Sequence, residues 1–365
     1  MRILRVAALA AGLLLSLSQL VPAQAFGSSS GGRHEPSYGW ELKPTGSASQ
    51  FRGLAAVSAD VAWVAGSQGQ VLLTTDGGKG WQNVSPPGAG DLLFRDIEAF
   101  DAKRAVVLAI GNGEASRIYR TVDGGKTWTE AFRNTDPVAF YDCLDFNDSR
   151  VGLALSDPVD GKFRIAGTSD GGKSWKVQPT DGMPAALPGE FAFAASGTCL
   201  VAGPGRTAWF ATGGGDRPRV FRTSDGGRHW KVADSPMASG AAAGIFSLAF
   251  RGPLLGVAVG GDFLKPTEAV NAASVTYDGG RTWKLVAADK APKGYRSGSA
   301  FVPETFGTVI AVGPSGSDFS LDGGLSWTQF YDGSFDSVEC AGHGPHAACW
   351  ASGAKGAVAR LARTH

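Results

Sequence analysis

One short motif recurs six times along the chain and limits the possible folds more than any other feature. Each copy has an aspartate followed by two glycines, with a tryptophan five residues after the aspartate. The copies are separated by 47, 47, 55, 53 and 44 residues, the length of one four-stranded blade of a β-propeller. The six aspartates are Asp76, Asp123, Asp170, Asp225, Asp278 and Asp322. The repeat therefore predicts an all-β propeller.

The chemistry of the motif indicates a hairpin turn. An aspartate carboxylate accepts hydrogen bonds from the backbone of its own turn, and glycine adopts positive φ without strain. The tryptophan begins the returning strand and supplies a large apolar anchor. These tryptophans are Trp81, Trp128, Trp175, Trp230, Trp283 and Trp327. We assign the motif a structural role, because a catalytic site needs converging groups and these are spread around a ring.

Strand patterns upstream of each motif complete the blades. An aromatic-led strand and a second strand ending in small residues come before each hairpin, as expected for the two inner strands of a blade. The seventh blade combines three strands near the C-terminus with a lone strand near the N-terminus, and this closure removes free sheet edges. We predict a seven-bladed β-propeller with blades at about 51–89, 93–135, 139–182, 190–236, 244–290, 294–333, and 335–364 plus 38–46.

The first residues show the pattern of a cleavable secretory signal. Two arginines precede an apolar run at residues 6–15, and small residues at 23–25 suit cleavage. We expect a signal peptide at 1–25, a Gly/Ser-rich linker at 26–37 and a single propeller domain at 38–365, secreted to the periplasm or the extracellular space. Nothing later in the chain is apolar for 18 residues, so no membrane span is expected in the mature protein.

Charge and composition narrow the class of partner. Lys and Arg total 34 against 33 Asp and Glu, so no field points to nucleic acid or to an anionic membrane. The hydrophobic content of 43% excludes disorder, and 53 glycines with 19 prolines suit short strands joined by tight turns. The net charge gives no other indication of a partner.

The repeats resemble the Asp-box, or bacterial neuraminidase repeat, superfamily, and within it the photosystem II assembly/stability factor-like propellers and their bacterial relatives. The resemblance covers about residues 38–364 and rests on the motif copies and on inner strands led by Phe-Arg or Tyr-Arg. The segments at 188–203, 244–250 and 294–298 also look like a bacterial group within that branch. In the assembly factors the propeller holds a partner protein, partly through arginines on its face. The resemblance therefore implies a non-catalytic binding scaffold.

Candidate binding residues are expected on the face opposite the motif turns, where loops enter the innermost strands. Arginine and tyrosine are enriched at protein interfaces. The loops of blades 3 to 5 are longer than those of blades 1 and 6, which favours a site there. The candidates are Arg52, Arg95, Tyr141, Tyr295, Arg296 and Lys265. The predicted partner is another protein or an envelope complex, with a glycan as the alternative.

The alternative function is glycoside hydrolysis by front-face carboxylates, one acting as acid and one as base or nucleophile. The candidate catalytic residues are Asp142, Asp157, Glu190 and Asp262. Sialidases carry a Phe/Tyr-Arg-Ile-Pro motif, and the matching segments at 51–54 and 94–97 lack the proline. An oxidoreductase would need a carrier site, yet the glycine-rich stretches at 111–116 and 213–217 lie outside any βαβ unit. We therefore predict no cofactor.

The four cysteines suggest disulfides. Cys340, His343, His346 and Cys349 form a C-x2-H-x2-H-x2-C array on an apparent hairpin, which nominally offers four ligands to a metal. Cysteines that face each other across paired strands form a disulfide in an oxidising compartment, so this pairing is preferred over metal binding and over free thiols. Cys143 and Cys199 occupy matching places on inner strands of neighbouring blades, so they form a second disulfide if their Cα atoms lie within the roughly 7 Å limit for bridging.

Overall fold

A computed structural model describes residues 37–364, so the expected signal peptide and residues 26–36 of the expected linker lie outside the described residues. The described chain contains strands and four short 3₁₀ turns. These turns are Ser67–Gly69, Gly113–Ala115, Gly344–His346 and Ala354–Gly356. No helix in this part of the chain is long and apolar enough to cross a membrane.

The strands form seven four-stranded antiparallel sheets arranged as blades, which confirms the predicted seven-bladed propeller. The outer strand of blade 7 is β1 (Ser37–Leu42). Blade 1 contains β2 (Phe51–Ala56), β3 (Ala62–Gly66), β4 (Val71–Thr74) and β5 (Gln82–Asn83). Blade 2 contains β6 (Leu93–Ala99), β7 (Ala105–Ile110), β8 (Arg117–Thr121) and β9 (Thr129–Arg133). Blade 3 contains β10 (Tyr141–Phe146), β11 (Gly152–Val159), β12 (Lys162–Thr168) and β13 (Lys176–Val177).

The remaining blades repeat this order from the inside outwards. Blade 4 contains β14 (Leu200–Ala202), β15 (Ala208–Ala211), β16 (Arg219–Thr223) and β17 (Trp230–Asp234). Blade 5 contains β18 (Ala243–Arg251), β19 (Leu255–Asp262), β20 (Ala273–Thr276) and β21 (Lys284–Leu285). Blade 6 contains β22 (Gly298–Phe301), β23 (Val309–Gly313), β24 (Gly316–Ser320) and β25 (Thr328–Tyr331). Blade 7 contains β26 (Ser337–Ala341), β27 (Ala348–Ser352) and β28 (Val358–Thr364).

The two ends of the chain close the ring within blade 7. Strand β1 pairs antiparallel with β28, so Ser37 lies opposite Thr364 and Leu42 opposite Ala359. Strand β26 contacts β2 of blade 1, which completes the circle of inner strands. The predicted closure by the N-terminal strand is confirmed.

The hydrophobic core is divided among the interfaces between neighbouring blades. One buried cluster fills the interface of blades 1 and 2 around Trp63 and Phe94, and another fills that of blades 3 and 4 around Phe163 and Phe210. Equivalent clusters occupy the other five interfaces. Because burying apolar area is the main stabilising term in folding, each blade depends on both of its neighbours.

The six motif turns share one hydrogen-bond pattern on the back face, at the hairpins that join the third and fourth strands of blades 1 to 6, as between β4 and β5 in blade 1. In blade 1, the Thr74 hydroxyl donates to Asp76 Oδ1 at 2.9 Å, and Gly78 N–H donates to the Thr74 oxygen at 2.9 Å. Gly80 N–H donates to Asp76 Oδ1 at 3.0 Å. A hydroxyl residue two positions before the aspartate repeats this contact in all six blades.

The motif tryptophans pack within and between blades. Trp128 of blade 2 stands edge-on to Trp63 of blade 1 at a ring-centroid distance of 6.4 Å, and its indole N–H donates to Val84 O at 2.7 Å. Trp230 instead packs on Phe210 of its own blade at 4.8 Å. Trp128 and Trp230 therefore act as apolar anchors, as the repeat predicts.

Both cysteine pairs form disulfides. Cys340 and Cys349 are opposite residues of β26 and β27, with Cα atoms 4.0 Å apart. Cys143 on β10 is joined to Cys199, just before β14, across the interface of blades 3 and 4. No group of three or more metal-ligating side chains occurs among the described residues, and His343 and His346 flank the tip of the blade 7 hairpin.

Candidate functional site

A pocket of about 610 Å³ opens on the front face where the seven innermost strands begin. This volume lies within the roughly 300–1,000 Å³ range of small-ligand sites. Every blade contributes to its lining. We call it the mouth pocket; its lining includes Gln50, Arg52, Arg95, Asp142, Asp157, Phe191, Phe193, Phe246, Phe263, Tyr295 and Asp336.

A recurrent β-bulge presents side chains to the mouth pocket. The pairing of the first two strands is irregular between Phe51 and Gly53, and the extra residue in between is Arg52. The same irregularity in blades 2, 3 and 5 isolates Arg95, Asp142 and Phe246. A bulge adds one residue to one strand and redirects its side chain, so four blades use one backbone device to present different chemistry.

The segment at 191–198, which we call the plug, closes the channel below the mouth pocket. It precedes the short inner strand β14 and makes contacts with other blades across the channel. Ala194 O accepts a hydrogen bond from Arg95 Nη1 of blade 2 at 2.9 Å, and the Ser196 hydroxyl donates to Ser297 O of blade 6 at 2.6 Å. The Thr198 hydroxyl lies 2.7 Å from that of Ser247 in blade 5. The plug gives the mouth pocket a floor.

Two arginines form the cationic part of the pocket. Arg52 Nη2 lies 3.6 Å from Asp336 Oδ1, and Gln50 Nε2 donates to the other oxygen of Asp336 at 3.0 Å. The Nε groups of Arg52 and Arg95 are buried and have no hydrogen-bond partner. Burial and the charge of Arg52 lower the pKa of Arg95 to about 10, so Arg95 is still a cation at neutral pH. Unpaired guanidinium N–H groups are donors for an incoming acceptor.

Two carboxyl groups, Asp142 and Asp157, lie beside the arginines. Asp142 is 2% exposed, and its Oδ2 has no hydrogen-bond partner. Burial, together with the nearby Asp157, raises the pKa of Asp142 well above its usual range. Burial also raises the pKa of Asp157 to about 7, although Asp157 Oδ1 accepts a hydrogen bond from Ala192 N–H at 2.8 Å. The pair therefore changes its charge near neutral pH.

Aromatic rings form the opposite wall, on blades 4 to 6. Phe193 and Phe246 are stacked with ring centroids 3.7 Å apart, and Phe191 stands edge-on to Phe193 at 4.9 Å. Phe246 meets Tyr295 edge-on at 4.7 Å. Phe263, on the loop after β19, is 44% exposed and completes the rim. Phe193, Phe246 and Tyr295 are buried, so the wall is a pre-assembled apolar surface whose solvent-exposed part is the rim at Phe263.

Three of the predicted site residues converge with Arg52 and Arg95, and five do not. Asp142, Asp157 and Tyr295 line the mouth pocket together with both arginines. Tyr141 points into the core between blades 2 and 3, where its ring packs on Phe132 at 5.2 Å. Tyr141 and Asp142 are adjacent at the start of β10, and their side chains face the core and the pocket respectively.

The remaining candidates make contacts that stabilise the fold. Arg296 is fully buried, and its Nε donates to Asp318 at 2.5 Å. The Glu190 side chain is also fully buried and is paired with Arg219.

Two candidates, the last residue of β19 and a residue of the loop that follows, lie outside the mouth pocket. Asp262 Oδ1 accepts a hydrogen bond from Leu264 N–H at 2.9 Å, and exposed Lys265 lies 3.3 Å from Glu268. None of Arg296, Glu190, Asp262 and Lys265 lines the mouth pocket.

Below the plug, carboxyl groups link adjacent inner strands. Asp96 Oδ2 accepts a hydrogen bond from Leu144 N–H at 2.6 Å. Asp145 Oδ2 accepts one from Ala202 N–H at 2.7 Å. Glu339 Oε2 accepts one from Ala56 N–H at 2.7 Å. Each contact joins one blade to the next.

The electrostatics of this lower chamber favour protonated carboxyls. Burial raises the pKa of Asp96 to about 8 and that of Asp145 to about 7. Burial and neighbouring carboxylates raise the pKa values of Glu98 and Glu339 well above the usual range. These groups share the chamber with the small and apolar side chains of blades 4 to 6.

Several pocket residues were missed by sequence reasoning. Phe193 and Phe191 belong to the plug, which has no strand periodicity to reveal its position. Phe246 was detectable in principle, because it follows Ile245 as Arg52 follows Phe51. Asp336 after Phe335 repeats the same arrangement in blade 7. At the start of an inner strand, the residue that follows an aromatic or branched residue is therefore the one that the sequence marks as a pocket residue.

The fold and site together define a seven-bladed propeller with a blind pocket at its front mouth. No family model matches the sequence, and no curated protein matches it. Among solved structures, YCF48 bound to a D1 peptide is similar at a TM-score of 0.61 and 14% identity, over 89% of this chain and 95% of that chain.

Two further solved structures are similar. YCF48 from Cyanidioschyzon merolae gives a TM-score of 0.55 at 16% identity, over 88% of this chain and 98% of that one. The WD40 β-propeller domain of Doa1 gives 0.58 at 12% identity, over 89% and 97%. At such identities the likeness shows the propeller fold alone, so the function has to be argued from the site.

Proposed function

We propose that this protein is a non-catalytic scaffold that binds another protein at the mouth pocket. The observation that carries the proposal is the pair of arginines whose buried Nε groups lack partners beside an open aromatic wall. Arginine and aromatic side chains in a desolvated concave site are the usual anchors of protein interfaces. One structural neighbour, YCF48, is described bound to a D1 peptide, and its fold is similar to this one.

We also infer a secreted or periplasmic location. All four cysteines are paired, which suits an oxidising compartment. The arginines and apolar run at the N-terminus have the order of a secretory signal. The partner is accordingly a protein or complex of the cell envelope, and the Asp-box resemblance supports a role in assembly or stability.

Glycoside hydrolysis is the second candidate, because Asp142 and Asp157 lie together in a pocket with arginines and aromatic rings. A hydrolase needs both carboxyl groups to reach the sugar. Asp142 is 2% exposed, and Asp157 accepts a hydrogen bond from Ala192 N–H. Neither carboxyl group is therefore free to contact a sugar. Glu190 and Asp262 make structural contacts and do not line the pocket. These contacts favour binding over catalysis.

The decisive experiment is an affinity capture from the cell envelope with matched arginine variants. The wild-type protein should retain one defined partner, and the double variant Arg52→Gln/Arg95→Gln should lose it. The control is Arg206→Gln/Arg228→Gln, which removes two exposed arginines from the back face. Loss of the partner by the control variant, or its retention by the pocket variant, would contradict the proposal. Cleavage of a glycan panel by wild type but not by Asp157→Asn would favour the hydrolase.

A further inference from the structure

The mouth pocket has two chemically different halves. Blades 4 to 6 supply the rings of Phe193, Phe246, Phe263 and Tyr295, while blades 1, 2, 3 and 7 supply the charged groups. The Phe246 and Phe263 rings lie 6.1 Å apart, and the Phe193 and Phe263 rings 6.4 Å apart, both edge-on. Edge-on rings around an exposed rim suit insertion of one further large apolar side chain.

The plug limits how a ligand enters. Its first residues line the mouth pocket, and the residues from Ser196 onwards line the lower chamber, which shares no lining residue with the pocket above. The hydrogen bonds of Ala194 to Arg95 and of Ser196 to Ser297 fix the plug on opposite sides of the channel. A ligand therefore inserts a side chain or a chain end from the front and does not thread the ring.

The charge of the ionic half depends on the protonation of Asp142 and Asp157. The titratable groups that line the pocket are Arg52, Arg95, Asp142, Asp157, Asp336 and Tyr295. Burial raises the pKa of Tyr295 and keeps it neutral. With both Asp142 and Asp157 ionised, three carboxylates face two guanidinium groups and the pocket is negative. With both protonated, the two arginines face Asp336 alone and the pocket is positive.

We propose that the mouth pocket binds a protein segment in which a large apolar side chain lies beside a carboxylate, and that the Asp142–Asp157 pair takes up a proton on binding. This inference rests on the proposed function and specifies its ligand. The apolar side chain packs on Phe193, Phe246 and Phe263. The carboxylate accepts hydrogen bonds from the guanidinium groups of Arg52 and Arg95, which line the pocket. Protonation of the aspartates removes the repulsion that an ionised pair would exert on this anion.

The ligand class is tested with short probes. Four ten-residue peptides share a Gly/Ser body, an N-terminal fluorophore and a C-terminal amide, and contain Phe-Asp, Phe-Asn, Ala-Asp or Ala-Asn at the centre. Fluorescence anisotropy should show Phe-Asp binding at least about tenfold more tightly than any other member. A fifth peptide, ending in Phe with a free carboxylate, distinguishes a chain terminus from an acidic side chain as the source. If neither Phe-Asp nor the fifth peptide binds more tightly than Ala-Asn, the proposed ligand class is wrong.

Variants assign the two halves of the ligand to the two halves of the pocket. Phe263→Ala should weaken Phe-Asp to the affinity of Ala-Asp, and Arg52→Gln should weaken it to that of Phe-Asn. Phe306→Ala is the matched control, because this ring is 96% exposed and lies in the back-face turn between β22 and β23. Both pocket residues are partly exposed, so their replacement leaves the fold intact. Equal loss of binding in Phe306→Ala would overturn the assignment.

Proton uptake is tested by the pH dependence of the dissociation constant. The peptide carboxylate has an ordinary pKa near 3.9 and stays ionised above pH 6. Uptake of one proton predicts that the constant for Phe-Asp rises about tenfold per pH unit above pH 7. Asp157→Asn should bind tightly with little change from pH 6 to 8.5. A flat wild-type profile, or the same slope in Asp157→Asn, would overturn the proton linkage.

The two proposals fail in different ways. If the envelope partner is captured through Arg52 and Arg95 but no peptide binds, the proposed ligand class is wrong and the scaffold function stands. If the partner is captured equally by the Arg52→Gln/Arg95→Gln variant, the front-face scaffold itself is wrong.

Discussion

The back face of this propeller repeats the same side chains from blade to blade, whereas the front face repeats a backbone bulge with different side chains. On the back, six turns repeat the same contacts among a hydroxyl residue, an aspartate and a glycine, from Thr74 and Asp76 in blade 1 to Ser320 and Asp322 in blade 6. On the front, one bulge recurs in blades 1, 2, 3 and 5 but presents arginine, arginine, aspartate and phenylalanine. The repeated side chains hold the fold, and the varied ones create the pocket.

Position on the front face does not by itself make a residue part of the site. Arg52 and Arg296 both come directly after an aromatic residue at the start of an inner strand. Arg52 occupies a bulge and reaches the pocket, whereas Arg296 is fully buried against Asp318. The difference predicts a clear separation between loss of stability and loss of binding.

The largest expected effect is the loss of stability in Arg296→Met. Removing one partner of a buried ion pair leaves Asp318 charged and unpaired, which costs about 3–5 kcal/mol. Urea denaturation should show this reduction in the free energy of unfolding. Arg52→Met, which removes a partly exposed arginine 3.6 Å from Asp336, is the control. Similar losses in the two variants would contradict the division between fold and site.

The second effect is a loss of stability as pH rises. In the folded protein the pKa of Asp96 is about 8 and that of Asp145 about 7, above their unfolded values near 4. Between pH 4 and 8 the folded state therefore binds more protons than the unfolded state. The stabilisation that these groups give at pH 4 is lost as the pH rises through this range. We expect the free energy of unfolding to fall by about 2 kcal/mol or more from pH 5.5 to 8.5.

Replacement of one chamber carboxyl identifies the source of this pH dependence. Asp145→Asn keeps an oxygen that can accept the Ala202 N–H but cannot ionise, so its denaturation profile should be flatter. Asp148→Asn, in the exposed back-face turn of the same blade, should leave the slope above pH 5.5 unchanged. An unchanged profile for Asp145→Asn would place the titrating groups elsewhere.

A moderate effect is expected from Asp278→Ala in a back-face turn. Partial burial opposes the shift, but hydrogen bonds from Thr282 and Thr276 lower the pKa of Asp278 to about 2. The variant loses the contacts with Arg281 N–H and Thr282 N–H and should cost about 1–2 kcal/mol. Exposed Asp181→Ala is the control for thermal denaturation. Partner capture should be unchanged, since the turn lies far from the pocket; reduced capture would mean that the back face also binds.

The smallest effect on stability is expected for Arg52→Gln. Its ion pair with Asp336 is long and partly exposed, and such pairs contribute about 0–1 kcal/mol. The melting temperature should therefore stay close to that of wild type while partner capture weakens. A large drop in melting temperature would show that Arg52 serves the ring closure between blades 7 and 1 and not the site.

The sequence predicted the features that depend on local chemistry. The motif spacing gave the blade length, and the incomplete ends of the chain gave the closure through Ser37–Leu42. Arg52, Arg95, Asp142 and Tyr295 were placed at the mouth because they start inner strands.

The remaining features depend on register and on long-range contacts. Because side chains alternate faces along a strand, one extra residue reverses which neighbour faces the pocket. Blade 6 pairs regularly from Gly298, so Tyr295 lines the pocket and Arg296 does not. The plug depends on hydrogen bonds to Arg95 and Ser297, about a hundred positions away along the chain, and no local pattern reveals it.

The closure of blade 7 determines how the molecule responds to mechanical force. Ser37 and Thr364 are opposite residues of the antiparallel pair β1 and β28, so both ends leave the ring at one place. Tension applied between the two ends breaks the pair one rung at a time, in an unzipping geometry, and does not load all rungs at once in shear. We therefore expect the β1–β28 pair to separate first under such tension, which opens blade 7 before the other blades.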